Sequence, residues 1–328
     1  MRGFYHIAGI RRAIVYSPHS EEIDNAIFIE VLKQLEAMGH EVKVYSEEDL
    51  IAGVVEERYI YNMVRSQEAI FRLQALEQNG VIVVNSGFGI EHCGREQMTT
   101  LLLENGVPFA PSQILEINVD TPPSLRATPS ILEGELIKSS RDVGDEVLKY
   151  SPSKIEGVTV RSGEYEHHAY WVKRADGYTV ESNDVVFVSD PSHLTQVLDS
   201  FAQRGIHRVV ISEHLQGDLV KFYGVVGTDF FHWFYPQEAQ HSKFGYEAVN
   251  GGPSGFSFSV ENLQEICRQA AEVLGVEVYG GDVVIATDGT IRLIDFNDWP
   301  SFAPCRLEAA KAIAQTVIQK IERYDSRR

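Results

Sequence analysis

The sequence predicts an α/β protein in which a Rossmann-like, parallel-sheet domain precedes two α+β segments. Two observations support this fold class. Short apolar strands alternate with helical patterns through the first 110 residues, which is typical of a parallel sheet covered by helices. Beyond a stretch that contains Thr121-Pro122-Pro123, strand-like pieces predominate instead. The expected division is a first domain at 1–111, a second at 112–206 that begins with a linker at 112–126, and a third at 207–328.

Apolar spacing and stop signals predict each element of the first domain. Apolar residues three and four apart predict a helix from Ile23 to Met38, which Gly39 closes. Two further helices end in the same way before Gly80 and Gly106. In chain order we expect a strand at 12–16, the helix at 23–38, a strand at 41–45, a helix at 67–78, a strand at 81–85 and a helix at 95–104.

The remaining chain reads mainly as strands, with a helix after Asp190-Pro191, a typical helix start. In chain order we expect strands at 134–138, 157–161, 168–173 and 184–188, a helix that ends at Gly205, strands at 207–215, 219–228 and 230–235, a glycine-rich loop at 250–255, a helix at 261–274, a hairpin at 278–297 and a helix at 306–323.

Composition excludes several classes of function. Twenty-nine Lys and Arg against 47 Asp and Glu give a net charge of −18, which argues against nucleic acid or anionic membranes as partners.

No apolar run approaches the ~18 residues of a membrane helix, and the N-terminus lacks the apolar core of a signal peptide, so we expect a cytoplasmic protein. Three widely spaced cysteines support neither a disulfide framework nor a zinc knuckle. No G-x-G-x-x-G follows a strand near the N-terminus, which argues against a nicotinamide dehydrogenase.

The hairpin at 278–297 contains the most informative residues. Asp288-Gly289 lies between two apolar, β-rich runs, a strong signal for a two-residue loop. Counting back from that loop places Thr287 opposite Thr290, Ala286 opposite Ile291, Val284 opposite Leu293 and Asp282 opposite Asp295.

Asp282 and Asp295 are then directly opposed, and Asn297 shares a face with Asp295, beside the apolar row that includes Ile291 and Leu293. Two opposed carboxylates repel each other unless a cation lies between them. Carboxylate and amide oxygens suit Mg²⁺, so we expect a magnesium site formed by Asp282, Asp295 and Asn297. The alternatives are a solvated strand end, or a register shifted by one residue that sends the aspartates to opposite faces.

These strand-end motifs, Asp282 and Asp295-Phe296-Asn297, resemble those of the ATP-grasp superfamily, in which two metal-binding strands end in an acidic residue and in acidic-x-Asn. Residues 67–111 are similar to the end of the N-terminal domain in ribosomal-protein glutamate ligases and D-alanine:D-alanine ligases. The resemblance covers most of the chain. It implies an ATP-grasp fold with ATP and one or two Mg²⁺ ions as cofactors, Mn²⁺ being a substitute.

The resemblance also implies roles in nucleotide binding. Taken singly, a lysine on a strand is more often solvated than functional, so the order and spacing of the residues carry this expectation. It places Lys173 on the α and β phosphates, Glu213 on the adenine amino edge, the backbone of Leu215 on a ring nitrogen, Asp218 on the ribose and Lys221 near the phosphates.

Several family features are missing. Glu96-Gln97 replaces the pair that carries the first phosphate lysine, and Lys138 is the candidate substitute. Gly280 stands where many ligases carry an arginine that steadies the developing oxyanion. The phosphate loop at 174–178 has one glycine, and residues 139–165 look like an insertion.

The acceptor substrate is expected at two loops. Asn250-Gly251-Gly252 resembles the region that lines the acceptor site in glutamate-adding ligases, with His241 and Lys243 as the nearest basic residues. Ser17 follows the first strand, where a substrate could meet the sheet. The alternatives are an ordinary tight loop at 250–252 and an ordinary helix cap by Ser20 after the first strand.

The resemblance implies an ATP-dependent carboxylate–amine ligase that acts through an acyl phosphate, with Lys173 and Lys221 as catalytic cations. Its expected partners are small carboxylates and amines, either amino acids or peptides, and a homodimer is the expected assembly. A kinase of a hydroxyl acceptor is one alternative, although few Lys or Arg lie near Asn250. A non-catalytic nucleotide-binding regulator is another, motivated by Gln97 and Gly280.

Overall fold

A computed structural model describes residues 3–13, 18–117, 169–175, 181–236 and 249–327. The chain divides into two compact units. The first consists of Met1–Cys93 and Gly217–Arg328, and the second consists of Gly94–Gln216. The division into domains at 1–111, 112–206 and 207–328 stays a prediction.

The first unit begins with a four-stranded parallel sheet, sheet A, in the strand order β2-β1-β3-β4. Helices connect its strands, as expected for parallel pairs. Its elements are β1 (His6–Ile10), α1 (Pro18–Ala37), β2 (Glu41–Tyr45), α2 (Glu47–Ile51), β3 (Tyr59–Asn62), α3 (Gln67–Gln78), β4 (Ile82–Val84) and α4 (Gly87–His92).

A second sheet of the same unit, sheet B, is antiparallel and has the order β10-β9-β11-β12. Its elements are β9 (Asp218–Val225), β10 (Phe231–Phe234), α7 (Val260–Leu274), β11 (Val278–Ile285), β12 (Ile291–Asp298) and α8 (Arg306–Asp325). Helix α8 buries Ile313, Val317 and Ile321, four residues apart, in a core that includes residues of α1 and β1. Each such side chain stabilises the fold by about 1.5–3 kcal/mol.

The second unit is built on an antiparallel sheet, sheet C, in the order β5-β8-β6-β7. Side chains of α6 and of the sheet form its core, which includes Val172, Leu198 and Phe201. Its elements are α5 (Arg95–Glu104), β5 (Ser112–Glu116), β6 (Tyr170–Arg174), β7 (Val185–Val188), α6 (Leu194–Gln203) and β8 (Arg208–Glu213).

The predicted first strand at 12–16 is wrong. The strand is His6–Ile10, Arg12 and Ala13 lie outside it, and residues 14–17 fall outside the described residues. A glycine at position 9 interrupts the apolar run of this strand. The structure requires glycine there, because a Cβ would lie 2.8 Å from Tyr61 Oη and 2.9 Å from the Phe28 ring.

The predicted linker at 112–126 also needs correction, because residues 112–116 form β5 and pair with β8. Residues 118–126, and the predicted strands at 134–138 and 157–161, lie outside the described residues. The sequence missed α2, β3 and α4, which are too short for a clear period. The other predicted helices and strands are confirmed to within a few residues. In the part of the chain that the structure describes, no helix is both long and apolar enough to span a bilayer.

Candidate active site

The β11–β12 hairpin closes with a three-residue loop rather than the predicted two-residue loop. The backbone N–H of Ala286 donates to the carbonyl of Thr290 at 2.9 Å, and that of Gly289 donates to the carbonyl of Ala286 at 2.9 Å. Gly289 has φ +82°, the left-handed conformation that commonly ends a type I turn in such loops. The predicted pairs next to the loop are therefore wrong by one residue, with Ile285 opposite Ile291 and Val284 opposite Arg292.

A β-bulge in β12 brings the two aspartates opposite each other. Val283 pairs with Leu293, but the next residue back, Asp282, pairs with Asp295, so Ile294 is the extra residue. The extra residue in the bulge shifts the register back by the one residue that the longer loop had shifted it. The predicted opposition of Asp282 and Asp295 is thus confirmed, although the predicted register between loop and bulge is not.

The bulge also decides which face carries the acidic residues. Because Leu293 and Ile291 lie opposite Val283 and Ile285, they share the face away from Asp282. Simple alternation of side chains predicted that Asp295 and Asn297 lie beside Ile291 and Leu293. That prediction is wrong, because the bulge places the two pairs on opposite faces of the sheet. The face away from Asp282 also holds the rings of Phe222, Tyr279 and Phe296, whose centroids are 5.3 to 6.3 Å apart.

A row of charged residues crosses three strands of sheet B. Lys221 of β9 pairs with Asp282 of β11, which pairs with Asp295 of β12. Lys221 Nζ donates to Asp282 Oδ1 at 3.0 Å, and both side chains are about four-fifths buried. Asn297 Nδ2 donates to Asp295 Oδ2 at 3.0 Å, so the amide and the carboxylate lie together on this face. We call Lys221, Asp282, Asp295 and Asn297 the acidic row.

The oxygen atoms of the acidic row fit a hard divalent cation. Two carboxylates and one amide oxygen are the donors that Mg²⁺ takes when nucleotide phosphates and water complete its shell. Lys221 offsets part of the repulsion between Asp282 and Asp295. Among the described residues, no group of three or more His, Cys, Asp and Glu side chains could hold a metal ion by itself. Any cation bound here therefore needs further ligands.

An ion pair that the sequence did not predict adjoins this row. Arg65, which follows β3, pairs its Nη1 with Asp298 Oδ1, and its Nη2 donates to the Asp298 carbonyl at 2.9 Å. Asp298 is one residue beyond Asn297 and is almost fully buried. The pair therefore links the carboxyl end of a sheet A strand to the end of the strand that carries Asp295 and Asn297. Because the sequence analysis missed β3, it offered no signal for Arg65.

Gly280 lies next to the acidic row and leaves no room for a side chain. A Cβ there would be 2.7 Å from Pro300 Cγ and 2.7 Å from Tyr223 Cδ1. In register, Gly280 lies between Tyr223 and Asn297. The Tyr223 ring thus fills the space beside Gly280. Burial raises the pKa of Tyr223, which keeps the phenol protonated at neutral pH.

Asp218 holds a loop through both of its carboxylate oxygens. Oδ1 accepts the backbone N–H of Ser254 at 2.6 Å, while Oδ2 accepts those of Gly255 and Phe256 at 2.8 and 2.9 Å. The residue is buried, with 3% of its surface exposed. Asn250 Nδ2 donates to the carbonyl that precedes Asp218, at 3.4 Å. The ribose role of Asp218 stays a prediction, and its observed partners are backbone groups.

The second unit carries Lys173, Glu213 and Leu215. Lys173 alternates along β6 with Val172, which faces the α6 core, so Lys173 lies on the opposite face of sheet C. Glu213 ends β8, and Leu215 follows it. Both are half-buried. Their roles toward phosphate and adenine stay predictions.

An aromatic cluster on sheet C includes His214, the residue between Glu213 and Leu215. Trp171 Nε1 donates to His214 Nδ1 at 3.2 Å, and the centroids of Phe187 and His214 are 5.0 Å apart. Burial lowers the pKa of His214, so the ring is neutral at pH 7 and its Nδ1 is free to accept. The sequence analysis missed this cluster.

The remaining predicted positions are less informative. Gln97 is exposed in the first turn of α5, and the neighbouring Glu96 pairs with Arg208 at 2.8 Å. Gly251 is exposed and has φ +73°. Ser17, Lys138, His241, Lys243 and the expected insertion at 139–165 lie outside the described residues.

Comparison with known proteins gives a fold but no sequence family. No protein-family model matches the chain, and no curated protein sequence matches it. The D-alanine–D-alanine ligase of Bacillus anthracis, solved in complex with ATP, aligns with a TM-score of 0.60 at 13% identity over 99% of this chain and 100% of that chain. The RimK-domain ATP-grasp protein of Sphaerobacter thermophilus aligns at 0.57 and 13% identity, over 95% and 99% of the two chains. A D-cycloserine synthetase aligns with a TM-score of 0.55 at 13% identity, over 95% of this chain and 99% of that chain. The expected fold is therefore confirmed, and the chain has the ATP-grasp fold.

Proposed function

We propose that this protein is an ATP-dependent ligase that joins a small carboxylate to an amine. The observation that carries the proposal is the acidic row, in which Lys221, Asp282 and Asp295 lie side by side on three neighbouring strands. A site that combines a cation with opposed carboxylates suits a metal-bound polyphosphate. The fold is that of solved ligases, one of them in complex with ATP, which supports the same class of chemistry.

In the proposed reaction, a substrate carboxylate oxygen attacks the γ-phosphorus of ATP, and the bond to the bridging β–γ oxygen breaks to release ADP. An amine nitrogen then attacks the carbonyl carbon of the acyl phosphate and loses a proton, and inorganic phosphate leaves. Charge on the transferred phosphoryl group dominates the first barrier, so cations and positioning are what the protein must supply.

The residues of the chain divide these tasks. Asp282, Asp295 and Asn297 would hold Mg²⁺, which would neutralise phosphate charge when bound. Lys221 is placed to exchange its partner Asp282 for a phosphate oxygen, since one ammonium group can donate to either anion. On the second unit, Lys173 would bind further phosphate oxygens. Glu213 and the backbone of Leu215 would bind adenine.

The acceptor would meet the loop that contains Asn250 and Gly251, and we place a further substrate contact at Ser17. Expected substrates are amino acids or peptides, and we propose a homodimer. In this site a neutral tyrosine, Tyr223, lies beside Gly280.

Hydroxylamine trapping tests the proposal directly. The protein is incubated with Mg-ATP, hydroxylamine and pooled amino acids or dicarboxylates, and both ADP and hydroxamate are measured. A ligase produces hydroxamate and ADP in equal amounts, because hydroxylamine intercepts the acyl phosphate. Asp282→Asn should abolish both signals. Asp288→Asn, which changes an exposed carboxylate in the hairpin loop, should leave them intact. ADP without hydroxamate for any carboxylate would contradict the ligase and favour a hydroxyl acceptor, and nucleotide binding without ADP would favour a regulator.

A further inference from the structure

The loop between β10 and α7 meets sheet B at two points. The first is the Asp218 carboxylate, which accepts three consecutive backbone N–H groups, those of residues 254–256. The second is the hairpin loop, where a Cβ on Gly289 would lie 2.8 Å from the Ser257 carbonyl oxygen. The hydrogen bonds at the first point fix the backbone of residues 254–256, and the close approach at the second leaves no room for a side chain on Gly289.

The outer side of the same loop is open. Residues 251–255 are exposed, whereas Asp218 beneath them is buried. Pro253 restricts the backbone further. The loop therefore combines a fixed backbone with an accessible surface, as expected of a substrate-contacting loop on a rigid support.

The carboxylate of Asp218 is largely used by this arrangement. A carboxylate offers about four acceptor positions, and three are occupied by short, charge-assisted bonds to the loop. Gly217, just before it, has φ +150°, and any Cβ there would collide with the Ile285 carbonyl. The start of β9 is thus packed tightly against the end of β11, which leaves the aspartate directed at the loop.

We infer that Asp218 is a positioning residue that holds the 250–256 loop for the acceptor substrate, and that it is not a ribose ligand. The inference rests on the proposed function, because that function gives the loop its acceptor. Asp218→Asn should release the loop, since the amide presents N–H groups to backbone N–H donors and keeps only one oxygen. Nucleotide affinity should not depend on it.

Three measurements on the full chain separate loop anchoring from ribose binding. The matched control is Asp229→Asn, which changes an exposed carboxylate between β9 and β10. Chymotrypsin should cut Asp218→Asn after Phe256 or Phe258 at least tenfold faster than wild type or the control. Calorimetric Kd values for Mg-ATP should stay within about twofold of wild type. The ratio of the Kd values for 2′,3′-dideoxy-ATP and ATP should be the same in the variant and the wild type.

Turnover provides a readout that loss of stability alone would not move. In the hydroxamate assay, Asp218→Asn should raise the KM for the carboxylate while the KM for ATP stays constant. A loss of folded protein alone would lower kcat and leave both KM values unchanged. Asp218→Glu, which keeps both oxygens, should recover part of the loss. An Mg-ATP Kd raised tenfold or more, with the dideoxy preference lost and proteolysis unchanged, would overturn the inference in favour of ribose binding. If the wild-type protein binds no ATP, the proposed function is refuted. The proteolysis result still tests separately whether Asp218 holds the 250–256 loop.

Discussion

Lys221 and Asp282 form the interaction whose disruption is most informative, because two ligands would compete for one carboxylate. The 3.0 Å separation corresponds to a Coulomb attraction of about 5–6 kcal/mol at an effective dielectric constant of about 20. Desolvation offsets much of this attraction, since both side chains are only about one-fifth exposed. A net value of about 1.5–3 kcal/mol is typical of hydrogen bonds between charged groups.

We therefore expect Lys221→Met to bind Mg²⁺ more tightly in the absence of nucleotide. The lysine no longer competes, and the opposed carboxylates of Asp282 and Asp295 gain more from a cation. At about 1.4 kcal/mol per factor of ten, the affinity should rise at least tenfold. The same variant should bind Mg-ATP more weakly, because a phosphate partner is lost.

Calorimetric titration of Mg²⁺ alone measures the first effect, and titration of Mg-ATP measures the second. Arg292→Met is the control, since Arg292 is an exposed cation of β12 outside the acidic row. The variant should also unfold at a lower temperature without Mg²⁺ and recover when Mg²⁺ is added, because a ligand of the folded state stabilises it. An Mg²⁺ affinity that is unchanged or lower in Lys221→Met would refute the reasoning.

Three further predictions concern stability. Gly280→Ala should lower the free energy of unfolding by about 1–3 kcal/mol in chemical denaturation, because the added methyl overpacks the sheet; a neutral effect would contradict the packing. Arg65→Met should cost about 3–5 kcal/mol in the same assay, because Asp298 would be left buried without its cation, and adding Asp298→Leu should recover much of the loss. Because its pKa is lowered on folding, neutral His214 contributes to the free energy of unfolding. That contribution is fully present above pH ~6.5 and is lost as the pH falls through the lowered pKa. His214→Gln, which still offers an acceptor to Trp171, should show a flatter melting-temperature profile between about pH 7 and 5, and an unchanged slope would argue against His214 as the source.

Local patterns in the sequence predict most of the fold. Helix periods closed by glycine locate α1, α3 and α5, because their apolar stripes and stop signals lie within one segment. The strand β1 was misplaced, since Gly9 breaks the apolar run for a reason that lies in Tyr61 and Phe28. Steric contacts with residues distant in the chain leave no local pattern.

The candidate site was predictable in part. The opposition of Asp282 and Asp295 follows from the hairpin, but only because a longer loop and the bulge at Ile294 offset each other. Neither feature has a clear sequence signal. Partners far away along the chain, such as Arg65 for Asp298, cannot be inferred from spacing, and a buried aspartate that binds a loop looks in sequence like one that binds a ligand.

The claim that the acidic row forms the metal–nucleotide site is tested most directly by titrating ATP into wild type, Asp295→Asn and Asp288→Asn, each with and without Mg²⁺. We predict Mg²⁺-dependent binding in wild type and in Asp288→Asn, and a loss of at least tenfold in Asp295→Asn. Equal ATP affinity in all three proteins, or affinity that does not respond to Mg²⁺, would contradict the account.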